Sequence, residues 1–253
     1  MHPRISVNEE CAGTMPFLEE VGFWNELGVD TIGAISPKLE AIGWDKAVVA
    51  DTGMRVSNIG TEERVLSEAL EFGAAVGADS VWLTPGGIGS RLWEEAADDF
   101  CDRIAPAVAR ASELGIKLAV EPTNSLRADI SFVFTLRDAL ELARAAGMSG
   151  VVLELVCCWY ERGLEDLVRE HVDMLTLVQI ADYEIGTRDT PNRSVIGDGD
   201  LPLERLIAML LDAGYEGMFD LELIGPKIEA EGYLSATRRS LERATDMLDR
   251  LGA

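Results

Sequence analysis

A barrel of eight parallel β-strands, each followed by a helix, is the fold this sequence predicts, and three observations predict it. Short apolar runs alternate with amphipathic stretches of helical period from one end of the chain to the other. Each strand leads into a helix, which calls for a parallel sheet, and eight such units are the number that closes a (βα)8 TIM barrel. The length, 253 residues, is ordinary for one barrel and long for most other single domains. No linker or shift in composition divides the chain, so residues 1–253 read as one domain. An open doubly wound sheet is the structural rival.

The elements follow in order. Arg4 to Val7 is a short first strand, and a helix from about Pro16 to Leu27 ends at Gly28. Thr31 to Ile35 is the second strand. Ser36-Pro37 then supplies an N-cap and a first-turn proline for a helix running to about Ala50. Arg55 to Ile59 is the third strand, and Thr61 with Glu63 and Arg64 opens a helix that reaches Val76. Ser80 to Thr84 precedes the glycine loop Pro85-Gly86-Gly87-Ile88-Gly89, after which Ser90 caps a long helix to Leu114, bent at Pro106. The second half keeps this rhythm. Lys117 to Val120 is followed by a helix from Thr135 to Ala146, and Val151 to Val156 by a helix from Gly163 to about Met174. Leu177 to Ala181 is followed, after a long loop, by a helix from Pro202 to Ala213. Met218 to Leu223 precedes the last helix, Tyr233 to Leu251.

Charge and composition narrow the function. With 22 basic against 45 acidic residues the net charge is −23, which repels phosphate backbones and anionic membranes and gathers cations. No nucleic-acid or membrane partner is expected. Four cysteines, no signal peptide and no long apolar span predict a reduced, cytoplasmic protein. The vicinal pair Cys157-Cys158 is a poor disulfide and reads as two free thiols.

The chemistry concentrates at strand ends. In Lys117 to Asn124, KLAVEPTN, an apolar strand ends in Glu121, and Pro122 cannot extend the ladder beyond it. The pattern returns in Val151-Val152-Leu153-Glu154 and in Met218-Phe219-Asp220-Leu221-Glu222. A carboxylate at the end of a buried strand is costly unless paired. In a barrel the C-terminal strand ends form the active face. Glu121, Glu154, Gln179 and Glu222 end the four strands of the second half, and this all-oxygen set suits a hard cation, Mg2+ or Mn2+. A single such Glu is ordinarily solvated or salt-bridged; the argument rests on three together. Gly86 to Gly89 lacks the Lys and Ser/Thr of a phosphate-binding loop and reads as a tight turn. Asp198-Gly199-Asp200, without the rest of a calcium loop, reads as a turn leading to the helix at Pro202.

Glu121-Pro122-Thr123-Asn124, Val152-Leu153-Glu154, Val178-Gln179-Ile180-Ala181-Asp182, Arg193 with Gly197-Asp198-Gly199-Asp200, and Leu221-Glu222 together resemble the xylose isomerase-like barrel superfamily, the sugar phosphate isomerase/epimerase group. The resemblance covers nearly the whole chain. It implies metal ligands at Glu121, Glu154, Gln179 and Glu222, and catalytic proton transfer by Glu121 and Glu222. It also implies a divalent ion, Mn2+ or Mg2+, that steadies an enediolate as a proton leaves the neighbouring carbon.

Three departures stand out. Glu154 replaces the family's Asp, Gln179 replaces its His ligand, and Cys157 stands where many epimerases carry a substrate-contacting His. The two histidines, His2 and His171, lie away from the strand ends. Arg193, and with it Arg188, could hold a substrate oxygen. Cys157, Asn124 and Trp159, with Tyr160 beside it, are the other substrate contacts expected. The expected activity is isomerisation or epimerisation of a ketose, polyol or related hydroxyketone, a small-molecule substrate. A lyase acting through the same enolate (inosose or dehydroshikimate type) and a non-catalytic binding barrel are the alternatives. An abasic-site endonuclease on this scaffold would need a histidine-rich site and a basic face. A homo-oligomer is expected from family habit, with Trp44 and Trp93 as apolar residues outside the strands.

Overall fold

The computed structural model describes all residues, Met1 to Ala253. Eight parallel strands close into a barrel in sequence order: β1 (Ile5–Asn8), β2 (Thr31–Ile35), β3 (Arg55–Thr61), β4 (Ser80–Leu83), β5 (Lys117–Val120), β6 (Gly150–Glu154), β7 (Leu175–Ile180) and β8 (Phe219–Leu221). β8 pairs with β1, Ile5 opposite Phe219, so no edge is left open. The helices are α1 (Phe17–Leu27), α2 (Ser36–Ala41), α3 (Lys46–Thr52), α4 (Leu66–Val76), α5 (Trp93–Leu114), α6 (Leu136–Ala146), α7 (Leu155–Cys158), α8 (Leu164–His171), α9 (Leu203–Asp212), α10 (Pro226–Glu231) and α11 (Tyr233–Leu251).

Several boundaries differ from the sequence expectation, each for a local reason. The helix expected to run from Ser36 to Ala50 breaks at Gly43 and Trp44, which both take positive φ, and restarts where the Asp45 carboxylate accepts from the Ala47 amide. Ser90 caps nothing; α5 starts at Trp93, and Glu95 reaches back to accept from the Leu92 amide at 2.9 Å. Thr61 ends β3 rather than opening a helix, because a 3-10 turn at Glu63–Val65 intervenes before α4. The strand expected to reach Val156 stops at Glu154, whose own side chain caps α7. Helix α10, entered through Pro226 and closed by Gly232, is an extra element before the last helix.

The main apolar core fills the layer between strands and helices. A second, smaller cluster of Trp82, Ala119, Val152 and Leu177 lies inside the barrel. Side chains alternate along a strand, so two residues further on the same inward face carries Thr84, Glu121, Glu154 and Gln179. The opposite half of the interior is polar. Asp220 is buried there and accepts from the Ser6 hydroxyl, from Asn8 Nδ2 at 2.9 Å and from Asn58 Nδ2 at 3.3 Å, while the Trp82 indole donates to Asn58 Oδ1 at 2.8 Å. Glycine is required beside both large groups. A Cβ on Gly33 would lie 2.6 Å from Asp220 Oδ1, and one on Gly60 would lie 2.5 Å from the Trp82 ring. The apolar plug and the polar network together form the floor beneath the strand-end carboxylates.

Candidate active site

Glu121 and Glu222 follow the last residues of β5 and β8. Their amides still donate to Leu83 and Ile180 on the neighbouring strands at 3.0 and 3.1 Å, which carries the sheet register into the two acids. Glu154 ends β6 and spends one oxygen as a helix cap, Oε1 accepting from the Val156 amide at 3.0 Å. Gln179, wholly buried on β7, directs its amide nitrogen at Glu222 Oε1, 3.4 Å away.

The cation among these acids is a side chain. Arg193 Nη2 lies 2.9 Å from Glu154 Oε2 and 3.2 Å from Glu222 Oε2. It arrives from the long loop after β7, whose course is set by Asp182. That buried carboxylate accepts from the amides of Tyr183, Gly197 and Leu201 at 2.8, 2.8 and 3.1 Å. Asp182 and Ser194 also exchange backbone hydrogen bonds, and the Arg193 amide donates to the Ile224 carbonyl at 2.8 Å. Gly199 must be glycine here, since a Cβ would lie 2.3 Å from Asp182 Oδ1. The Asp198-Gly199-Asp200 stretch is therefore the wrapping around Asp182. Its own acids are engaged elsewhere, Asp198 with Arg239 and Arg243, and Asp200 with the Ile185 amide.

Above these groups lies a cavity of about 180 Å3, lined among others by Glu10, Glu121, Asn124, Cys157, Arg193 and Glu222. Burial, reinforced by Glu222 and Glu154, raises the Glu121 carboxyl well above the usual range. Burial also pushes Glu222 up to about 7, with Arg193 pulling the other way. Burial raises the Cys157 and Cys158 thiols, so neither is a thiolate at neutral pH. For Arg193, burial opposes the charge, but Glu154 and Glu222 outweigh it and the guanidinium stays protonated.

The structure thus places Glu121, Asn124, Cys157, Arg193 and Glu222 on one cavity, with Glu154 and Gln179 behind it. Trp159 is not there. The turn of α7 carries it past the rim into a separate depression beside Glu161 and Leu164, and Tyr160 and Arg188 are solvent-exposed. Glu10 is one lining residue that sequence reasoning missed. Its signal is the alternation of polar Ser6, Asn8 and Glu10 at the end of an otherwise apolar strand. Thr84, Thr123, Arg127 and Thr190 also line the cavity and carried no such signal. In the glycine loop the Gly86 amide donates to the Ile130 carbonyl, and a Cβ on Gly87 would sit 2.4 Å from the Asp129 carbonyl. It is a packing contact between neighbouring loops. His2 is buried beside the start of β1, and His171 at the end of α8 meets Arg144 of α6; neither lines the cavity.

No three His, Cys, Asp or Glu side chains are gathered around a single ion position. The donor chemistry nevertheless fits a hard cation at the place of Arg193 Nη2. Two carboxylates already converge on that nitrogen, Glu121 borders the same cavity, and Gln179 Oε1 is a buried acceptor with no donor. Arg193 Nε is likewise buried and unpartnered. Each such orphan costs about 1–3 kcal/mol.

The fold places this site among known structures. Protein SMc04130 from Sinorhizobium meliloti 1021 superposes with a TM-score of 0.83 at 22% identity over 98% of both chains. The IolI protein with a bound zinc atom superposes at 0.78 and 16% identity, over 98% of this chain and 99% of that one. The 3-keto-D-glucoside 4-epimerase YcjR from E. coli superposes at 0.73 and 19% identity, over 92% and 97%. No curated protein matches. A family model described as xylose isomerase-like TIM barrel matches residues 39–250, and the chain belongs to that family.

Proposed function

We propose that this protein is a cytoplasmic, divalent-metal-dependent isomerase or epimerase that acts on a ketose, polyol or related hydroxyketone through an enediolate. The observation that carries this reading is the placing of Glu121 and Glu222, from β5 and β8, on one small polar cavity. Superposition on an epimerase and on a zinc-bearing barrel is consistent with it. Glu121, Glu154, Glu222 and the Gln179 amide oxygen would hold the ion, an all-oxygen set that suits Mg2+ or Mn2+ better than Zn2+. When bound, such an ion supplies positive charge to adjacent substrate oxygens.

The rest of the chemistry belongs to the chain. One of the two carboxylates on the cavity takes the proton from the carbon next to the carbonyl, and the other returns it. The Arg193 guanidinium holds a substrate oxygen, and Asn124 and the neutral Cys157 thiol border the cavity wall. The volume, about 180 Å3, is below that of a drug-sized pocket and restricts the site to a small substrate. Four unpaired cysteines are in keeping with a reducing compartment.

Proton NMR in D2O with Mg2+, across ketoses, inososes and dehydroshikimate, tests the reading. Deuterium entering next to the carbonyl without elimination is the expected result. Loss of water would instead mark a lyase, and no exchange on any substrate would leave a binding barrel.

A further inference from the structure

Arg193 occupies the position that the proposed ion would take, and the surrounding groups are incompletely satisfied while it is there. Its Nη2 bridges Glu154 and Glu222 at 2.9 and 3.2 Å, while its own Nε has no acceptor and Gln179 Oε1 has no donor. All of these groups are buried except Glu222, which is partly exposed. The backbone at Arg193 is pinned from two sides, by Ile224 and by the Asp182–Ser194 bridge. Any adjustment therefore falls to the side chain, which already borders the cavity.

We infer that Arg193 is a place-holding cation: it neutralises Glu154 and Glu222 in the metal-free protein, and an incoming divalent ion displaces its guanidinium into the cavity, where it becomes the substrate-oxygen contact. The inference rests on the metal-binding reading above. A guanidinium brings one positive charge to the Glu154 and Glu222 carboxylates, and a divalent ion brings two. Gln179 Oε1, idle beside an arginine, acquires a partner beside an ion. The displaced guanidinium keeps its planar fork of donors, which suits a carbonyl or carboxylate oxygen of the substrate. Without the arginine, the empty site would bury carboxylates with no countercharge. With it, the substrate surface is completed only after the ion is in place, so the ion binds first.

Calorimetry with Mn2+ on wild type and Arg193→Met is the test, joined by NMR of arginine-labelled wild type titrated with diamagnetic Mg2+. The variant should bind Mn2+ at least ~5-fold more tightly, as expected for two mutually exclusive occupants, and Mg2+ should move the Arg193 Nε–H signal. Equal or weaker binding by the variant overturns the place-holding role and leaves the metal reading standing. Binding by the variant alone upholds the role and removes the ion from the wild-type reaction. No binding by either overturns both. If the variant does not fold, the wild-type titration decides: heat of Mg2+ binding with an unmoved Arg193 signal overturns the inference.

Discussion

At the scale of residues, the cluster of Glu9, Glu20 and Lys38 shows how much a single proton can matter. Lys38 pairs with Glu20 and donates to the Glu9 carbonyl at 2.9 Å, while Glu9 Oε2 accepts from the Ile35 amide at 2.7 Å. Both Glu side chains are fully buried, and Oε1 of each lacks a partner among ordinary donors. Burial, then the charge of Glu20 and a hydrogen bond to it, hold the Glu9 carboxyl well above its usual range. A raised carboxyl binds its proton in the folded state after the unfolded chain has lost it. Its stability contribution is complete below the unfolded value, near ~4.3, and is lost as pH rises through the folded one. Glu9→Gln replaces that proton with an amide hydrogen. The variant should gain on wild type with rising pH, by up to ~1.4 kcal/mol per unit, in thermal melts run from pH 5 to 9. A constant difference across that range would refute the raised Glu9 carboxyl. In the cavity, Glu121→Gln should lower turnover by roughly 10²–10⁴-fold and weaken Mn2+ binding in calorimetry. Unchanged Mn2+ affinity would remove Glu121 from the ion's ligands.

At the scale of elements, the loop between β7 and α9 does the positioning. Three backbone amides converge on Asp182, and Arg193 rides on the segment they hold. Asp182→Asn keeps the size but turns one acceptor into a donor facing N–H groups, at a cost of about 1–3 kcal/mol. Faster hydrogen exchange in residues 183–200 is expected, together with a rise in KM larger than the fall in kcat. Wild-type protection of that loop in the variant would show that Asp182 does not hold it. The break between α2 and α3 follows the same logic. Trp44 turns at positive φ and packs edge-on against Phe72, and Trp93 does so against Phe132. Both tryptophans pack against the core of their own chain and stay partly exposed.

At the scale of the molecule, four of the six exposed large apolar side chains share one face, and the other two are Met1 and Leu18. Leu92, Leu126, Tyr160 and Ile185 lie on successive loops that follow β4, β5, β6 and β7, around the face that holds the cavity. We expect a dimer, and this rim is the surface to test. Light scattering should give twice the 27.5 kDa chain mass, falling to one chain for Leu126→Asp combined with Ile185→Asp. A monomer mass for wild type across a concentration series would refute it. The net charge of −23 predicts no binding of duplex DNA at physiological salt, because there is little basic surface to release counterions. A salt-sensitive gel shift at micromolar protein would contradict that. No helix is long and apolar enough to cross a membrane.

What the sequence determined by itself is the barrel and the identity of its strand-end acids. Burial at period two or 3.6 is a local property, so the eight repeats, and Glu121, Glu154, Gln179 and Glu222 at the ends of four of them, can be read one segment at a time. Helix starts were less legible, because Ser90 looks like a cap in isolation and only the path into Trp93 shows that it is not. The tertiary structure alone decided what meets the acids. Arg193 lies 13 residues beyond the end of β7, and nothing in its neighbours' periodicity directs it between Glu154 and Glu222. That required the loop to close around Asp182. Trp159 left the cavity because Glu154 capped a turn that its strand pattern did not announce, and Glu10 entered it because β1 and β8 are neighbours only once the barrel has closed. Convergence of side chains from distant segments depends on loop paths and closure, and the pattern along any one segment carries no record of either.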